Sequence, residues 1–225
     1  MGTSNWQNIS YVIDIIKAIN PYRILDFGMG FGRWGILARE FLEVWGDENY
    51  SGTWKRQIDG VEVFPDYIKQ YHQYFYSNIY IEEGYEWIQK CSFGYDLVIF
   101  GDVIEHFEKS RGLELIEKAL SISRYVLINI PLGENWEQSK KNKNKFEEHK
   151  SVWSGSDFNL YKHKVMKYFR DNTGRKFCVA LISKAPINLD KMILEQYGKY
   201  FHVKNFLKYK LKLNKLVDFI ERKKY

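Results

Sequence analysis

The stretch that decides the fold runs from Ile24 to Ile36 and reads Ile-Leu-Asp-Phe-Gly-Met-Gly-Phe-Gly-Arg-Trp-Gly-Ile. A short apolar run ends at Asp26, and glycines follow at positions 28, 30 and 32 before an apolar helical pattern begins. This order predicts a buried strand, a tight turn and the N-terminus of a helix. Because glycine leaves the backbone bare, a ligand can approach the unpaired N–H groups at the start of that helix.

The spacing of these glycines separates two kinds of ligand-binding loop. The dinucleotide-binding pattern G-x-G-x-x-G requires a glycine at position 33, where this chain has Arg33. The observed pattern, D-x-G-x-G-x-G, resembles the first motif of class I S-adenosylmethionine (SAM) dependent methyltransferases. The resemblance implies that Asp26, Gly28, Gly30 and Gly32 bind the cofactor SAM.

Strand and helix patterns alternate along most of the chain. Apolar residues at helical spacing predict helices over 5–19, 35–44, 66–76, 85–90 and 112–121. Short apolar runs predict strands over 23–27, 57–63, 79–82, 95–100 and 125–130. Two further strands, 161–169 and 176–183, are joined by a tight turn at 171–174. We therefore predict an α/β fold with a doubly wound, seven-stranded, mostly parallel sheet, Rossmann-like in type, and a C-terminal antiparallel hairpin followed by a basic helical tail.

Charge divides the chain at residue 185. Residues 186–225 hold ten Lys or Arg against four Asp or Glu, a surplus that equals the net charge of +6 for all 225 residues. We therefore predict a methyltransferase domain over 1–185 and a basic segment over 186–225. Apolar residues recur at helical spacing from Val203 to Ile220, with lysines between them, which predicts a basic amphipathic helix.

The partner of that helix is left open by the sequence. Its apolar face can pack on the domain or form a contact with a second copy in a dimer, and its lysines are then solvated. It can instead lie on an anionic membrane surface. Binding to nucleic acid phosphates is a third alternative, although no dedicated nucleic-acid motif accompanies the helix.

Composition also limits the location of the protein. No run of about 18 apolar residues is present, so no transmembrane helix is expected. Residues 1–8 lack the basic and apolar regions of a secretory signal. Cys91 and Cys178 are far apart in the chain, which favours reduced thiols over a disulfide or a metal site. These features predict a cytoplasmic protein, with peripheral attachment to the membrane surface as an alternative.

Ligands of open α/β sheets bind at the carboxyl ends of the strands, so each strand end is a candidate position. Glu62 ends the second predicted strand and can accept hydrogen bonds from both hydroxyls of a cofactor ribose, or it can be merely solvated. At the third strand end, many members of the family have Gly-Asp, with the Asp near the adenine amino group. This chain has Tyr85 in that place, so the adenine contact falls to Tyr85, to the backbone or to Glu83.

The fourth predicted strand leads into a second motif, Phe100-Gly-Asp-Val-Ile-Glu-His-Phe107. It resembles the D-V-I-E-H signature of small-molecule O-methyltransferases such as those of ubiquinone biosynthesis. The resemblance implies that Gly101 and Asp102 line the SAM pocket near the sulfonium. Two motifs in the expected order carry the resemblance, which covers residues 22–183.

Three residues of this second motif suggest a metal. If residues 102–106 form a helical turn, Asp102, Glu105 and His106 share one face. Together with His149 they could bind a divalent cation, as the resemblance to ubiquinone-type enzymes and small-RNA 2′-O-methyltransferases implies. A metal would lower the pKa of an acceptor hydroxyl. In the alternative, Glu105 and His106 support the loop without a metal.

His149 is the main candidate for the catalytic base. The pattern His-x-x-x-Trp-Ser at 149–154 resembles the segment that covers the acceptor pocket in this family. A histidine there could take the acceptor proton, with His106 as a second catalytic candidate. The alternative is a surface histidine in a basic loop.

These motifs predict a SAM-dependent methyltransferase that methylates a hydroxyl of a small molecule or a sugar. Two alternatives keep the same cofactor: an RNA or protein methyltransferase that docks through its basic tail, and a non-catalytic SAM-binding subunit. A nucleotide-dependent oxidoreductase would share the sheet, but Arg33 and the closing hairpin argue against it.

Overall fold

Seven strands form one mixed sheet in the computed structural model, which describes residues 5–92, 94–134, 136 and 144–195. The strand order is β3-β2-β1-β4-β5-β7-β6. The strands are β1 (Arg23–Phe27), β2 (Gln57–Glu62), β3 (Asn78–Ile81), β4 (Tyr95–Gly101), β5 (Ser123–Pro131), β6 (His163–Arg170) and β7 (Lys176–Ser183). Strands β1 to β5 pair in parallel, whereas β7 pairs antiparallel with both β5 and β6.

The helices of the described residues connect these strands. They are α1 (Ile9–Ile19), α2 (Arg33–Arg39), α3 (Gln70–Phe75), α4 (Gly84–Lys90) and α5 (Lys109–Ile122). Short 3₁₀ turns lie at Pro65–Tyr67, Ile104–His106, Lys145–Glu147 and Gly155–Leu160, and a π-helical turn, Glu40–Val44, extends α2. This succession of strand and helix is the doubly wound arrangement predicted from the sequence.

The core consists of two apolar layers, one on each face of the sheet. Alternate residues of a strand point to opposite faces, so Leu25 and Val98 pack with α4 and α5, whereas Ile24 and Ile99 pack with α1 and α2. Both layers bury their side chains almost completely. Burial on both faces explains why these strands read as continuous apolar runs.

The register of the central strands places their carboxyl ends side by side. Phe27, the last residue of β1, pairs with Val61 on one side and with Phe100 on the other. Consequently Gly28, Glu62 and Gly101 meet at one edge of the sheet, at the point where the strand order reverses between β1 and β4. Ligands of open α/β sheets bind at such a point.

One predicted helix differs clearly from the observed one. The sequence pattern predicts a single helix over 66–76, but the chain forms the turn Pro65–Tyr67 and then α3. Lys69 between them is extended, with φ −126° and ψ 164°, and its N–H donates to Nδ1 of His72. Because of this interruption, the His72 side chain contacts the glycine loop at Phe31.

The C-terminal segment is only partly described. The amphipathic helix that the sequence predicts from Val203 to Ile220 lies outside the described residues, as does most of 186–225. Within the described part of the chain, no helix has the length and apolar character needed to cross a bilayer.

Candidate active site

A cavity of about 710 Å³ opens at the carboxyl edge of the sheet, beside the ends of β1, β2 and β4. Its size is within the range of pockets that hold small ligands and cofactors. Most of the residues predicted for the site line it, namely Gly28, Gly30, Glu62, Tyr85, Gly101, Asp102, Glu105, His106 and His149. Asp26 and Gly32 are the two predicted residues that do not.

The glycine loop has a backbone that other residues rarely adopt. Gly28, Gly30 and Gly32 have φ values of 68°, 50° and 83°. The N–H groups of Gly28 and Met29 both donate to the Val61 carbonyl, at 2.8 and 3.1 Å. A Cβ on Gly28 would lie 2.6 Å from Cγ2 of Val103. The loop is therefore tied to β2 and packed against the turn after β4, with bare backbone on the cavity.

Asp26, which the sequence predicts to bind the cofactor, does not line the cavity and lies behind this loop. Its side chain is almost fully buried, and Oδ2 accepts hydrogen bonds from the Gly35 N–H at 3.1 Å and from the Tyr76 hydroxyl at 2.5 Å. Burial raises the pKa of Asp26 to about 7, although these two hydrogen bonds act in the opposite direction. The carboxyl group thus links the end of β1 to the first turn of α2.

Gly32 is covered by His72, a residue that belongs to none of the sequence motifs. A Cβ on Gly32 would lie 2.9 Å from Cδ2 of His72. The imidazole is buried, and its Nδ1 accepts from Lys69 N–H, so Nε2 carries the proton and donates to the Phe31 carbonyl at 3.1 Å. Burial lowers the pKa of His72, which keeps it neutral. His72 therefore holds the glycine loop in place through its contacts with Phe31 and Gly32.

Glu62 is held in place by the loop that it faces. Its Oε2 accepts from the Gly30 N–H and its Oε1 from the Phe64 N–H, both at 2.9 Å. Only 6% of the residue is exposed, and burial raises its pKa. The carboxylate lines the cavity, and its remaining lone-pair capacity can accept hydrogen bonds from a ligand.

Tyr85 is positioned by two neighbours on α5. Its hydroxyl donates to Oε2 of Glu114, and the guanidinium carbon of Arg111 lies 4.9 Å from the ring centroid. Glu83 lines the cavity beside it, and one of its oxygens caps α4 by accepting from the Glu86 N–H at 2.9 Å. Tyr85 and Glu83 are two of the three alternatives for the adenine contact, and both line the cavity.

Asp102 has a backbone that is unusual for a non-glycine residue, with φ 57°. Its N–H donates to the Asn129 carbonyl at 3.0 Å, which anchors the turn after β4 to β5. Burial lowers the pKa of the Arg33 guanidinium, and the charge of Asp102 acts in the opposite direction. Residues held in such conformations occur preferentially at functional sites.

Three of the four predicted metal ligands form a cluster. One ligand atom from each of Glu105, His106 and His149 lies within 4.8 Å of the others. Asp102, the fourth residue of the predicted set, lies outside this group. The two imidazole rings meet edge to face, with centroids 5.1 Å apart. His106 Nδ1 lies 3.1 Å from the Glu148 carbonyl, to which a protonated Nδ1 donates.

The electrostatics of this cluster favour uncharged groups. Glu105 is 1% exposed, and neither of its carboxylate oxygens has a hydrogen-bond partner among the described residues. Burial, with a contribution from Asp102, raises the pKa of Glu105 well above its ordinary value. Burial and the neighbouring His106 lower the pKa of His149 to about 4. A buried acid of this kind is costly unless a proton or a cation accompanies it.

The segment that carries His149 is fixed to the turn that carries Glu105. The N–H groups of Lys150 and Ser151 donate to the Glu105 carbonyl, at 2.8 and 3.1 Å. The indole of Trp153, which is buried, donates to the Ser151 hydroxyl at 2.8 Å. His149 itself is half-buried, and its Nε2 lies 4.0 Å from Oε1 of Glu105. It therefore belongs to the cavity wall.

Comparison with known proteins gives a fold but no sequence family. No protein-family model matches the chain, and no curated protein sequence matches it. Solved structures do match, among them three methyltransferase-fold proteins whose similarity covers four-fifths of this chain.

A SAM-dependent methyltransferase from Archaeoglobus fulgidus has a TM-score of 0.53 and 16% identity, over 79% of this chain and 91% of that one. The O-methyltransferase TomG from Streptomyces achromogenes, which is involved in tomaymycin synthesis and was solved with SAM, has a TM-score of 0.52 and 9% identity, over 80% and 81%. The N-terminal domain of EvdMO1, solved with SAH bound, has a TM-score of 0.51 and 10% identity, over 80% and 82%.

These likenesses, together with the strand order, define the class of fold. The chain has the Rossmann-like fold of class I SAM-dependent methyltransferases. At such low identities the comparison establishes the fold alone, and the chemistry has to be argued from the site.

Proposed function

We propose that this protein is a SAM-dependent methyltransferase that transfers a methyl group to the hydroxyl of a small molecule or a sugar. One observation carries the proposal. The same cavity is lined by a bare glycine loop with a buried acid beside it and by a cluster of two histidines and a glutamate. The first part suits a nucleoside cofactor and the second suits a hydroxyl that must lose its proton.

The cofactor half is argued from Glu62 and the loop. Because the two backbone N–H groups fix the Glu62 carboxylate, its remaining lone pairs are preorganised for the two hydroxyls of a ribose. The exposed backbone of Gly28 and Gly30 allows the methionine part of SAM to approach closely. Gly101 and Asp102 lie at the end of β4, where the reactive sulfonium would be placed.

The reaction requires little from the protein besides position and proton removal. When bound, SAM would supply the methyl group: a C–O bond would form to the acceptor oxygen as the C–S bond breaks, which leaves the thioether of S-adenosylhomocysteine. The hydroxyl proton would pass to a base of the cavity wall. His149 has a lowered pKa and is uncharged at neutral pH, so a ring nitrogen can accept that proton. His106 is the second candidate for the same step.

The donor set of the cluster also fits a divalent cation. The unpartnered carboxylate of Glu105 and two neutral imidazoles form a two-histidine, one-carboxylate set, which suits Mn²⁺, Fe²⁺, Co²⁺ or Zn²⁺ better than Mg²⁺. His106 has the carbonyl partner on Nδ1 that metal-bound histidines commonly have. When bound, such an ion would lower the pKa of the acceptor hydroxyl. Glu105, His106 and His149 would hold it.

The alternative of an RNA or protein acceptor depends on the basic segment 186–225, most of which lies outside the described residues. Salt-dependent binding to nucleic acid would favour it. We place the small-molecule acceptor first because the candidate base and Glu105 lie within the wall of a cavity of small-ligand size.

Calorimetric titration of the protein with SAM and with NAD tests the central claim. We expect SAM to bind and NAD not to bind. Gly30→Arg should abolish SAM binding because Gly30 lines the cavity and has φ 50°, a conformation that arginine adopts only with strain. Gly174→Arg is the matched control, since Gly174 also has a positive φ, 85°, but lies in the hairpin turn with open space around it. The proposal fails if SAM does not bind or if Gly30→Arg leaves its affinity unchanged.

A further inference from the structure

Two cationic side chains of the cavity wall have no assigned role. Lys150 follows His149 directly, and its N–H donates to the Glu105 carbonyl at 2.8 Å, so its backbone is fixed beside the histidine cluster. Its side chain is exposed, and its ammonium group has neither a hydrogen bond nor an ion pair among the described residues. Lys150 is therefore a cation on the cavity wall, next to His149, with no anionic partner among the described residues.

Arg175 approaches the same cavity from the hairpin. Its guanidinium carbon lies 4.1 Å from the ring centroid of Trp136, and Asp171 accepts from its Nε at 2.8 Å and lies 2.7 Å from its Nη2. The Trp136 indole is itself fixed, because its N–H donates to the Lys176 carbonyl at 3.0 Å. The planar group is thus held in one orientation, and its Nη1 has no partner among the described residues.

Six acids line the cavity, and Glu86, Asp102 and Glu105 are three of them. The other three are engaged in contacts away from Lys150. Glu62 accepts two backbone N–H groups, Glu83 caps α4, and Glu147 accepts from the Tyr67 hydroxyl at 2.7 Å. Asp171 offsets the charge of Arg175 in part, but it occupies only one edge of the guanidinium. None of these acids contacts the Lys150 ammonium. Lys150 therefore remains a cationic donor next to His149 in the chain, and Arg175 presents its Nη1 on the same cavity wall.

From this arrangement, and resting on the proposed function, we infer that the acceptor is an anion. It is a hydroxyl compound that also carries a phosphate or a carboxylate, and Lys150 and Arg175 bind that group. Charge-assisted hydrogen bonds to a fixed guanidinium give orientation as well as affinity, so the anion would direct the hydroxyl toward His149. The stacked Trp136 and Arg175 form the adjoining wall.

Binding of three matched probes to the complex with S-adenosylhomocysteine tests the inference. Phenyl phosphate, benzoate and benzyl alcohol share one ring but differ in charge, and calorimetry measures each. We expect at least one of the two anions to bind and benzyl alcohol to bind at least about tenfold more weakly. The affinities of phenyl phosphate and benzoate then show whether the site prefers a phosphate or a carboxylate.

Variants locate the binding. Lys150→Met and Arg175→Met should each weaken anion binding by about tenfold, since each removes one charged donor and keeps the apolar stem. Lys145→Met is the control, because Lys145 lies on the same segment but outside the cavity wall. If Arg175→Met impairs folding, as measured by circular dichroism, Arg175→Lys replaces it, and its loss of the planar fork should still weaken binding.

The inference is wrong if no anion binds, if benzyl alcohol binds as well as the anions, or if Lys145→Met weakens binding as much as Lys150→Met does. The first step of the experiment separates this failure from that of the proposed function. S-adenosylhomocysteine must bind before any probe is added, so its failure to bind contradicts the methyltransferase proposal, whereas its binding without the anions contradicts only the anionic acceptor.

Discussion

The hydroxyl of Tyr76 donates a 2.5 Å hydrogen bond to Oδ2 of Asp26, a residue fifty positions away in the sequence. The same oxygen accepts from the Gly35 N–H, so one buried carboxyl group joins β1, α2 and the end of α3. A Cβ on Gly35 would lie 2.4 Å from the Tyr76 hydroxyl, which shows how closely the three approach. The shape of the glycine loop therefore depends on groups outside the cavity.

Asp26→Asn should change how stability depends on pH. Burial raises the pKa of Asp26 in the folded protein to about 7, whereas an unfolded Asp has a pKa of about 3.9. Between these values the folded state holds a proton that the unfolded state has released, so this group lowers the free energy of unfolding as pH rises, by about 1.4 kcal/mol per unit. Its contribution is present below pH 4 and is lost through pH 7.

Urea unfolding of both proteins at pH 4, 5, 6 and 7 measures this effect. The asparagine oxygen can still accept from Tyr76 and Gly35, so the variant should fold. We expect the stability of the variant relative to the natural protein to increase with pH across this range. A difference that is constant with pH would mean that Asp26 is ionised in the folded state.

Gly28→Ala should destabilise the protein more than Gly174→Ala does. Both glycines have a positive φ, 68° and 85°, so both substitutions incur the strain of that backbone, about 1–2 kcal/mol. Only at Gly28 does the new Cβ meet a neighbour, at 2.6 Å from Val103, and we expect the clash to add about 1–3 kcal/mol.

Denaturant unfolding gives the two free energies, and calorimetry with SAM gives the accompanying loss of affinity. Equal destabilisation by the two substitutions would show that Val103 moves to accommodate the new Cβ. The close packing of Val103 on Gly28 would then not determine the shape of the glycine loop.

Glu62→Gln should weaken SAM binding by about tenfold to a hundredfold. The amide can accept on one side only, so its NH₂ group would face either the Gly30 or the Phe64 N–H, donor against donor. The loss of one acceptor for the ribose adds to this effect. Glu82→Gln is the matched control, because Glu82 is an exposed acid at the end of the neighbouring strand β3.

Calorimetry with SAM measures both variants. A Glu62→Gln affinity that matches that of Glu82→Gln would count against the ribose contact and would return Glu62 to the role of a solvated strand-end acid.

Metal binding is expected to depend on Glu105 and His149. Titration with Mn²⁺ or Co²⁺ should give one site, and Glu105→Gln or His149→Gln should abolish it, because each removes one of three ligand atoms that lie within 4.8 Å. His163→Gln, in β6, is the control and should bind normally. Absorption of bound Co²⁺ in the visible range provides a second measurement, independent of heat.

If the natural protein binds neither ion, the cation is excluded and the loop-supporting role of Glu105 and His106 is favoured. If Glu105→Gln binds as well as the natural protein, the ion lies at another site.

The sequence predicted the strands closely because their signal is local. The continuous apolar runs at 23–27, 57–63 and 95–100 correspond to β1, β2 and β4 within one residue at each end. The pattern at 66–76 predicts one helix, because the hydrogen bond from Lys69 to His72 that interrupts it has no periodic signature in the sequence.

The sequence predicted which residues lie at the candidate site, but not the contacts that each of them makes. The strand-end rule brought Glu62, Gly101 and the second motif to one cavity, since parallel strands end at a common edge. The same rule placed Asp26 in that cavity as well. It could not detect that Tyr76 and Gly35 would bind the carboxyl group from the other side.

By itself, the sequence determined the sheet, the glycine loop and the identity of the residues that meet at its edge, because backbone preference and apolar periodicity are properties of short segments. Only the tertiary structure decided that Asp26 lies behind the glycine loop, that Asp102 lies outside the histidine cluster, and that Lys150 and Arg175 reach the cavity. These depend on contacts between residues far apart in the chain, and no local pattern encodes them.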